Sequence, residues 1–375
     1  MSVHVKIRSA TLYSAALTLA EPFEHASSGR IDTLHEVVLR LESTDGVVGW
    51  GEMRANNHYV TGDTPGRIAG VLRDVMLPRL VAQDVGSPRA TADHMARVVV
   101  GNPTAKALVD IAVHDLVARS VGVAVHVLLG GRRHDTLNCH ATLPFCDPAE
   151  AARRANVYLD AGFTTIKMRL EMRPFARDLE RVVAVRSAMA GRPQALRLAA
   201  DVNQGWQVKE TIQNLHALAQ YDLAWIEQPV PADDFVGLRD VRRAVDIPVI
   251  ADESCASQAD LLRLLREEAV DGFHFKLCKA GGIGRLMGMI AIAEAAGRPY
   301  MIGQMDEGML ATAAAVQCGL TAQALSFELW GYQRVAAQPF QGLTLRGSEM
   351  HTAAAPGLGI EVDEAGLIEL AHFAA

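Results

Sequence analysis

At 375 residues the chain exceeds one ordinary domain and suits a barrel of about 250 residues with a smaller partner. Half of its residues are hydrophobic and about a fifth are charged, which leaves ample material for a large core, and the net charge of -7 offers no basic face for nucleic acid. Five scattered cysteines (Cys139, Cys146, Cys255, Cys278, Cys318) form no CxxC pair and no metal-ligand spacing, as expected of reduced thiols in a cytoplasmic protein.

Residues 3–13 alternate apolar and polar side chains, the pattern of a half-buried strand. The opening lacks a charged segment followed by a long apolar run, so no signal peptide is expected, and no apolar stretch is long enough to span a membrane. Residues 20–32 (AEPFEHASSGRID) are polar and read as a loop. HEVVLRLESTDGVVGWGE then places two β-rich runs around Asp45-Gly46, a strong hairpin signal. Asn56, Asn57, His58 and Tyr59 form a second polar loop. From Thr64 to about Ser120 the pattern turns helical, with Pro65 near a helix start and Ala107, Ile111, His114 and Leu116 within a helical stripe. A β-meander followed by helices is a compact α+β unit, and it ends where Gly130-Gly131 breaks the pattern.

A different rhythm begins at TLNCHATLPF (137–146). Asp147-Pro148 opens an Ala-rich helix that stops at Gly162. Strands are expected at 164–170, 195–203, 223–229, 248–254, 271–278, 300–305 and 324–330, with GGIGR (281–285) starting a helix between the sixth and seventh. Asp201, Glu227, Asp252 and Lys276 follow one another at intervals of 26, 25 and 24 residues, each ending an apolar run. One strand, loop, helix and loop per interval builds a parallel sheet or barrel, and in a barrel the carboxyl ends of the strands converge on one mouth. The tail from 332 to 375 reads as Gly-rich and irregular, ending in short apolar runs that return to the first unit.

The chemistry follows from those tips. Asp201, Glu227 and Asp252 offer only carboxylate oxygens, which select Mg²⁺ (or Mn²⁺) over Zn²⁺ and leave positions open for a small-molecule carboxylate substrate. The metal would stabilise the dianion formed when the adjacent α-proton leaves. Lysine suits the role of base once neighbouring cations lower its pKa, and Lys167 and Lys276 lie on opposite sides of the mouth. Lys276 is embedded in apolar GFHF-Lys-LC and needs a partner. Lys279 and Arg285 read as solvated or structural, and His274 as core.

The chain resembles the enolase superfamily and, within it, the mandelate racemase/muconate lactonizing enzyme family. The resemblance is carried by GWGE (49–52), AKALVDIAVHDLVARSVGVAVHVLLGG (105–131), K-x-R (167–169), DVNQGW (201–206), IEQP (226–229), ADES (251–254), FKLCKAGGIGR (275–285) and the region of Glu307. It implies an α/β fold, a modified TIM barrel (β/α)7β with an N-terminal α+β capping domain. The expected division is 1–131 with the tail from about 340 to 375 for the capping domain, and 132–339 for the barrel. It also implies one Mg²⁺ on Asp201, Glu227 and Asp252, and abstraction of a proton α to a carboxylate through an enediolate that the metal stabilises. Asp252 as third ligand and Lys276 on strand six resemble the muconate cycloisomerase-like subgroup. That subgroup carries K-x-K on strand two, the second lysine being its usual base, and here Arg169 stands in that place. Arginine stays protonated in proteins, so it is a poor base and a good electrostatic clamp.

The expected catalytic residues are therefore Lys276, Lys167, Arg169 and Glu307. The expected reaction is a one-base cycloisomerisation or dehydration by Lys276, with racemisation or epimerisation of an amino-acid derivative by Lys167 and Lys276 as the alternative. A barrel that binds carboxylate and Mg²⁺ without turnover is the reading from another class, and it requires misplaced bases. For substrate contacts the polar loops offer His25 and Arg30, with Glu24 and Ser27 beside them, and Asn57 and Tyr59. Asn203, Asp306 and Glu328 join them at strand ends. Acid near the substrate leans toward amino-acid derivatives. A homo-oligomer is expected, with neither nucleic acid nor membrane as partner.

Overall fold

The computed structural model describes the backbone of residues 3–25 and 29–375, and every side chain among them except those of residues 24 and 25. Two sheets organise it. The first is antiparallel and four-stranded, in the order Ile368–Ala374, Ile7–His25, Gly29–Ser43, Val48–Arg54. Asp45-Gly46 turns the hairpin, with Gly46 at φ 81 and its N–H donating to Ser43 O at 3.0 Å. The helix Pro103–Ser120 lies against this sheet, and GWGE shows how. A Cβ on Gly49 would stand 2.4 Å from that of Leu116, and one on Gly51 would stand 2.5 Å from Leu108 O. Only glycine admits the helix at this distance. Trp50 N–H donates to Asp115 Oδ2 at 2.8 Å, and Glu52 Oε2 accepts from Ala311 N–H at 2.8 Å, which joins the sheet to a helix of the barrel.

The second sheet is parallel and eight-stranded, and its spatial order is its sequence order. Its strands are Ala141–Leu143, Thr165–Arg169, Arg197–Asp201, Leu223–Glu227, Val249–Ala251, Gly272–Lys276, Tyr300–Gly303 and Ser326–Glu328. A parallel bridge between Cys139 and Phe327, with His140 N–H donating to Phe327 O at 2.9 Å, brings the first and eighth strands together. Helices such as Pro148–Asp160, capped by Asp147 as its Asp-Pro signal predicts, fill the connections.

The structure corrects three expectations. Residues 20–25 and 29–32 are strand, not loop: pairing continues through Phe23–Ile31 to His25–Gly29. Phe23 and Ile31 are buried, and that apolar face holds an otherwise polar hairpin end in the sheet. Ser27 lies outside the described residues. The polar stretch at 56–59 contains the start of a helical turn, His58–Thr61, rather than a plain loop. The tail is not irregular but carries short strands, of which Ile368–Ala374 pairs with the first strand, Ala374 opposite Ser9.

Where the antiparallel sheet meets the barrel, three glutamates are buried together. Glu36 is 1% exposed, Glu52 has no partner at Oε1 among the described residues, and Glu307 accepts from Met305 N–H at 3.2 Å. Burial pushes Glu52 up to about 8 and Glu307 to about 7, and raises Glu36 well above the carboxylate range. Between its ordinary value near 4.5 and about 8, Glu52 keeps a proton in the folded state that the unfolded chain releases. Stability therefore falls as pH rises through that window. Glu52→Gln removes this penalty. Its Tm advantage over wild type should be small at pH 4.5 and correspond to at least ~1 kcal/mol at pH 8. An advantage independent of pH would contradict the assignment.

Candidate active site

Strand geometry explains the ring of charge at the barrel mouth. Side chains two apart along a strand share a face. Ala199, Trp225, Ile250 and Met301 pack together inside the barrel as an apolar layer. Two residues further toward the carboxyl ends, the same faces carry Asp201, Glu227, Asp252 and Gly303. Strand two adds Lys167, strand six His274 and Lys276, and strand eight Glu328. Gly303 is bare for a reason: a Cβ there would lie 2.1 Å from His274 Nε2.

The charges in this ring are saturated by one another. Lys167 Nζ donates to Glu227 Oε2 and Glu328 Oε2, both at 2.9 Å, and to Asp201 Oδ2 at 3.3 Å. Lys276 Nζ donates to Asp252 Oδ2 at 2.7 Å. Lys279 Nζ donates to the carboxylate and the carbonyl of Asp252, and to His274 O at 3.1 Å. Asn203, at φ 47, donates from its backbone and its amide to Asp201 at 2.9 and 3.1 Å. Burial opposes the charge on Lys167, but Glu227, Glu328 and Asp201 outweigh it and raise its pKa. Lys276 is likewise raised: burial works against its charge, and Asp252 wins. Burial, with Glu227 next, lifts Asp201 to about 6, while Lys276 and Lys279 overcome burial to hold Asp252 below the usual carboxylate range.

A cavity of about 30 Å³, room for about one water, opens on the ring. Lys276, Arg169, Asp201, Asn203, Asp306, Glu328 and Tyr59 all line it. Phe23, Trp330 and Arg334 also border a neighbouring chamber of about 550 Å³, which Arg30 lines instead. The Arg169 guanidinium lies 5.1 Å from the Phe23 ring, and that of Arg334 lies 5.2 Å from Phe23 and 5.0 Å from Trp330. Asn57 is fully buried away from the cavity and accepts from Thr61 Oγ1 at 3.2 Å. Glu307 does not line the cavity; its charge acts on Glu36 and Glu52, while Arg54 and Lys276 act on it, and the side chain of His25 lies outside the described residues.

Family models agree with this architecture. Residues 7–130 match the mandelate racemase/muconate lactonizing enzyme N-terminal domain, and residues 150–366 match the enolase C-terminal domain-like model. The chain belongs to this family. It is an enzyme of the enolase superfamily, as its named relatives are. The N-succinyl-L-Arg/Lys racemase of Bacillus cereus is 31% identical over 371 residues, covering 98% of this chain and 99% of the relative. A chloromuconate cycloisomerase of Cupriavidus necator is 32% identical over 338 residues, 88% of this chain and 90% of the relative. The solved dipeptide epimerase of Cytophaga hutchinsonii, complexed with Mg and the dipeptide D-Ala-L-Val, superposes with a TM-score of 0.90 at 26% identity, covering 97% of this chain and 99% of that one.

Mg²⁺ fits the donor set that this family member presents. Asp201 and Glu227 end two neighbouring barrel strands and Asp252 directly follows the next; all three are buried and offer hard oxygens. A second set of ligand-type atoms, on Glu227, His274 and Glu328, lies within 4.8 Å of one another. Lys167 already fills the gap between its two carboxylates, and His274 Nδ1 is 2.7 Å from Glu227 Oε1, so this set is a hydrogen-bonded network beneath the mouth. Sequence reasoning missed two of these supports. His274 is core, as it reads, and in addition orients Glu227; Lys279 takes the structural rather than the solvated reading, and its partner is Asp252. Only the parity of His274 with Lys276 along one strand hinted at the first.

Proposed function

We propose that the enzyme removes the proton α to a substrate carboxylate with Lys276 as its single base, and that the outcome is cycloisomerisation or loss of water. The supporting observation is the asymmetry of the two faces. Lys276 stands at the cavity with one carboxylate partner, whereas Lys167 is gripped by three, and Arg169 holds the other strand-two position. Asp201, Glu227 and Asp252 would hold Mg²⁺, which when bound supplies positive charge for the oxygens of the enediolate and takes up carboxylate charge that otherwise keeps Lys276 protonated. Lys276 accepts the proton at Nζ, and Arg169 faces the charge that develops on the substrate. Lys167 remains a fixed cation paired with Glu328.

A second reading, racemisation or epimerisation of an amino-acid derivative, is favoured by the racemase that matches 98% of the chain at 31% identity. Solvent deuterium separates the two. Mg²⁺-dependent wash-in at the α-carbon with retained configuration supports the one-base reading, and wash-in with inversion supports the other. Arg169→Lys sharpens the contrast, because it places an amine that can lose its proton on the face opposite Lys276. Turnover should weaken by about 10- to 100-fold, from loss of the planar clamp, while inversion becomes detectable where wild type gives only retention. Inversion by wild type at the rate of exchange would remove the one-base reading.

A further inference from the structure

Gln304 follows the seventh barrel strand and lines the same 30 Å³ cavity as Lys276, Arg169 and Asp201. It is 6% exposed, and neither Nε2 nor Oε1 has a hydrogen-bond partner among the described residues. The other buried glutamines are treated differently. Gln228 donates to Ser254 Oγ at 2.7 Å and Val230 O at 2.9 Å, and accepts from the N–H groups of Asp252 and Ser254. Gln317 accepts from His126 N–H at 2.9 Å and donates to Thr352 and Leu358. The fold completes the amides it uses as struts and leaves this one open.

A buried carboxamide with both ends unmet carries an uncompensated desolvation cost, so its persistence calls for an outside partner. The charged neighbours do not serve: Asp306 pairs with Arg334 at 3.4 Å, and the ring acids pair with lysines. The bare Gly331 forms the wall behind the amide, since a Cβ there would lie 2.9 Å from Nε2 and 2.3 Å from Asp306 Oδ1. A primary amide presents a donor and an acceptor in one plane, and its matched complement is another amide. Gln304 and Lys276 line the same cavity, so a substrate that meets the base there also meets the amide.

We propose that Gln304 is a specificity-determining residue that reads an amide, peptide or N-acyl, carried beside the reacting carbon of the substrate. This rests on the α-proton chemistry proposed above and does not depend on whether the configuration is retained.

The test uses Mg²⁺-dependent deuterium wash-in on matched pairs: L-Ala-L-Glu and N-succinyl-L-lysine, each against the analogue with an ester oxygen in place of the amide N–H. Wild type should favour each amide by about 10²-fold in kcat/KM, and Gln304→Met should bring that ratio to within about threefold of unity. Gln304→Leu, which likewise has neither donor nor acceptor, serves if the methionine variant does not fold. A ratio unchanged in the variants, or wild type that takes ester and amide alike, overturns the assignment, as it would if only water met Gln304. Exchange confined to carboxylates lacking an amide overturns it while leaving the α-proton reading intact. Exchange with no carboxylate at all removes both.

Discussion

Asp201→Asn is expected to lower turnover at saturating Mg²⁺ by at least about 10³-fold while leaving the barrel folded. Asparagine keeps the volume of the side chain and an oxygen to accept from the backbone N–H of Asn203, now 2.9 Å from Asp201 Oδ1. What it loses is one of three anionic ligands. Lys167 would still be held by Glu227 and Glu328, so the variant leaves no unpaired buried ammonium. Two measurements check this. The rise in Tm that Mg²⁺ gives wild type should shrink or vanish in the variant, since that rise reports binding to the folded state. Activity should fall in parallel. A variant that turns over at the wild-type rate in the presence of a chelator would sink the metal assignment.

Lys276→Ala should abolish α-proton exchange, a loss of about 10²–10⁴-fold for removal of a general base. Lys276 is 7% exposed, on the inner face of its strand, 3.8 Å from Met305 Sδ and bonded to Asp252. Its removal does not strand Asp252, because Lys279 still donates to that carboxylate. The fold should therefore persist, as circular dichroism would register. Lys276→Arg restores a cation beside Asp252 without an accessible base, so it should keep the fold and still fail to exchange. If Lys276→Ala exchanged its substrate proton as fast as wild type, the base would lie on strand two, and the asymmetry argued from Lys167 and Arg169 would be reversed.

The barrel was legible because its chemistry obeys the pleat. In AWIEQP, Trp225 and Glu227 share an inward face, so an apolar run that ends in a charged residue announces both the strand and the mouth. The same arithmetic applies to Ala199 and Asp201, to Ile250 and Asp252, and to His274 and Lys276. Legibility failed where no period operates. Lys279 sits in a one-turn helix, Leu277–Ala280, too short for its spacing to reveal the face it takes. The hairpin end at 20–32 looks like a loop because strand pairing can proceed through polar residues once Phe23 and Ile31 are anchored. Gln304 is one polar residue in a turn of many, and an unmet hydrogen bond leaves no trace in composition. Glu307 showed its kinship and not its surroundings, which include two other buried carboxyls.

The pairing of Ile368–Ala374 with Ile7–His25 has a consequence for synthesis on the ribosome. Residues 7 to 54 can form their hairpins within moments of emerging, yet one edge of that sheet stays open until some three hundred further residues have been made. An open edge is a row of unmet N–H and C=O groups that invites pairing with another chain. The nascent protein thus carries a sticky margin through most of translation, and contacts this distant in sequence form late. Ile368 and Leu370 stay largely exposed even in the finished sheet, so the strand that closes the edge is held by its backbone ladder more than by burial. Yield at low temperature, or with chaperones that shield strands, will depend on how long that margin waits.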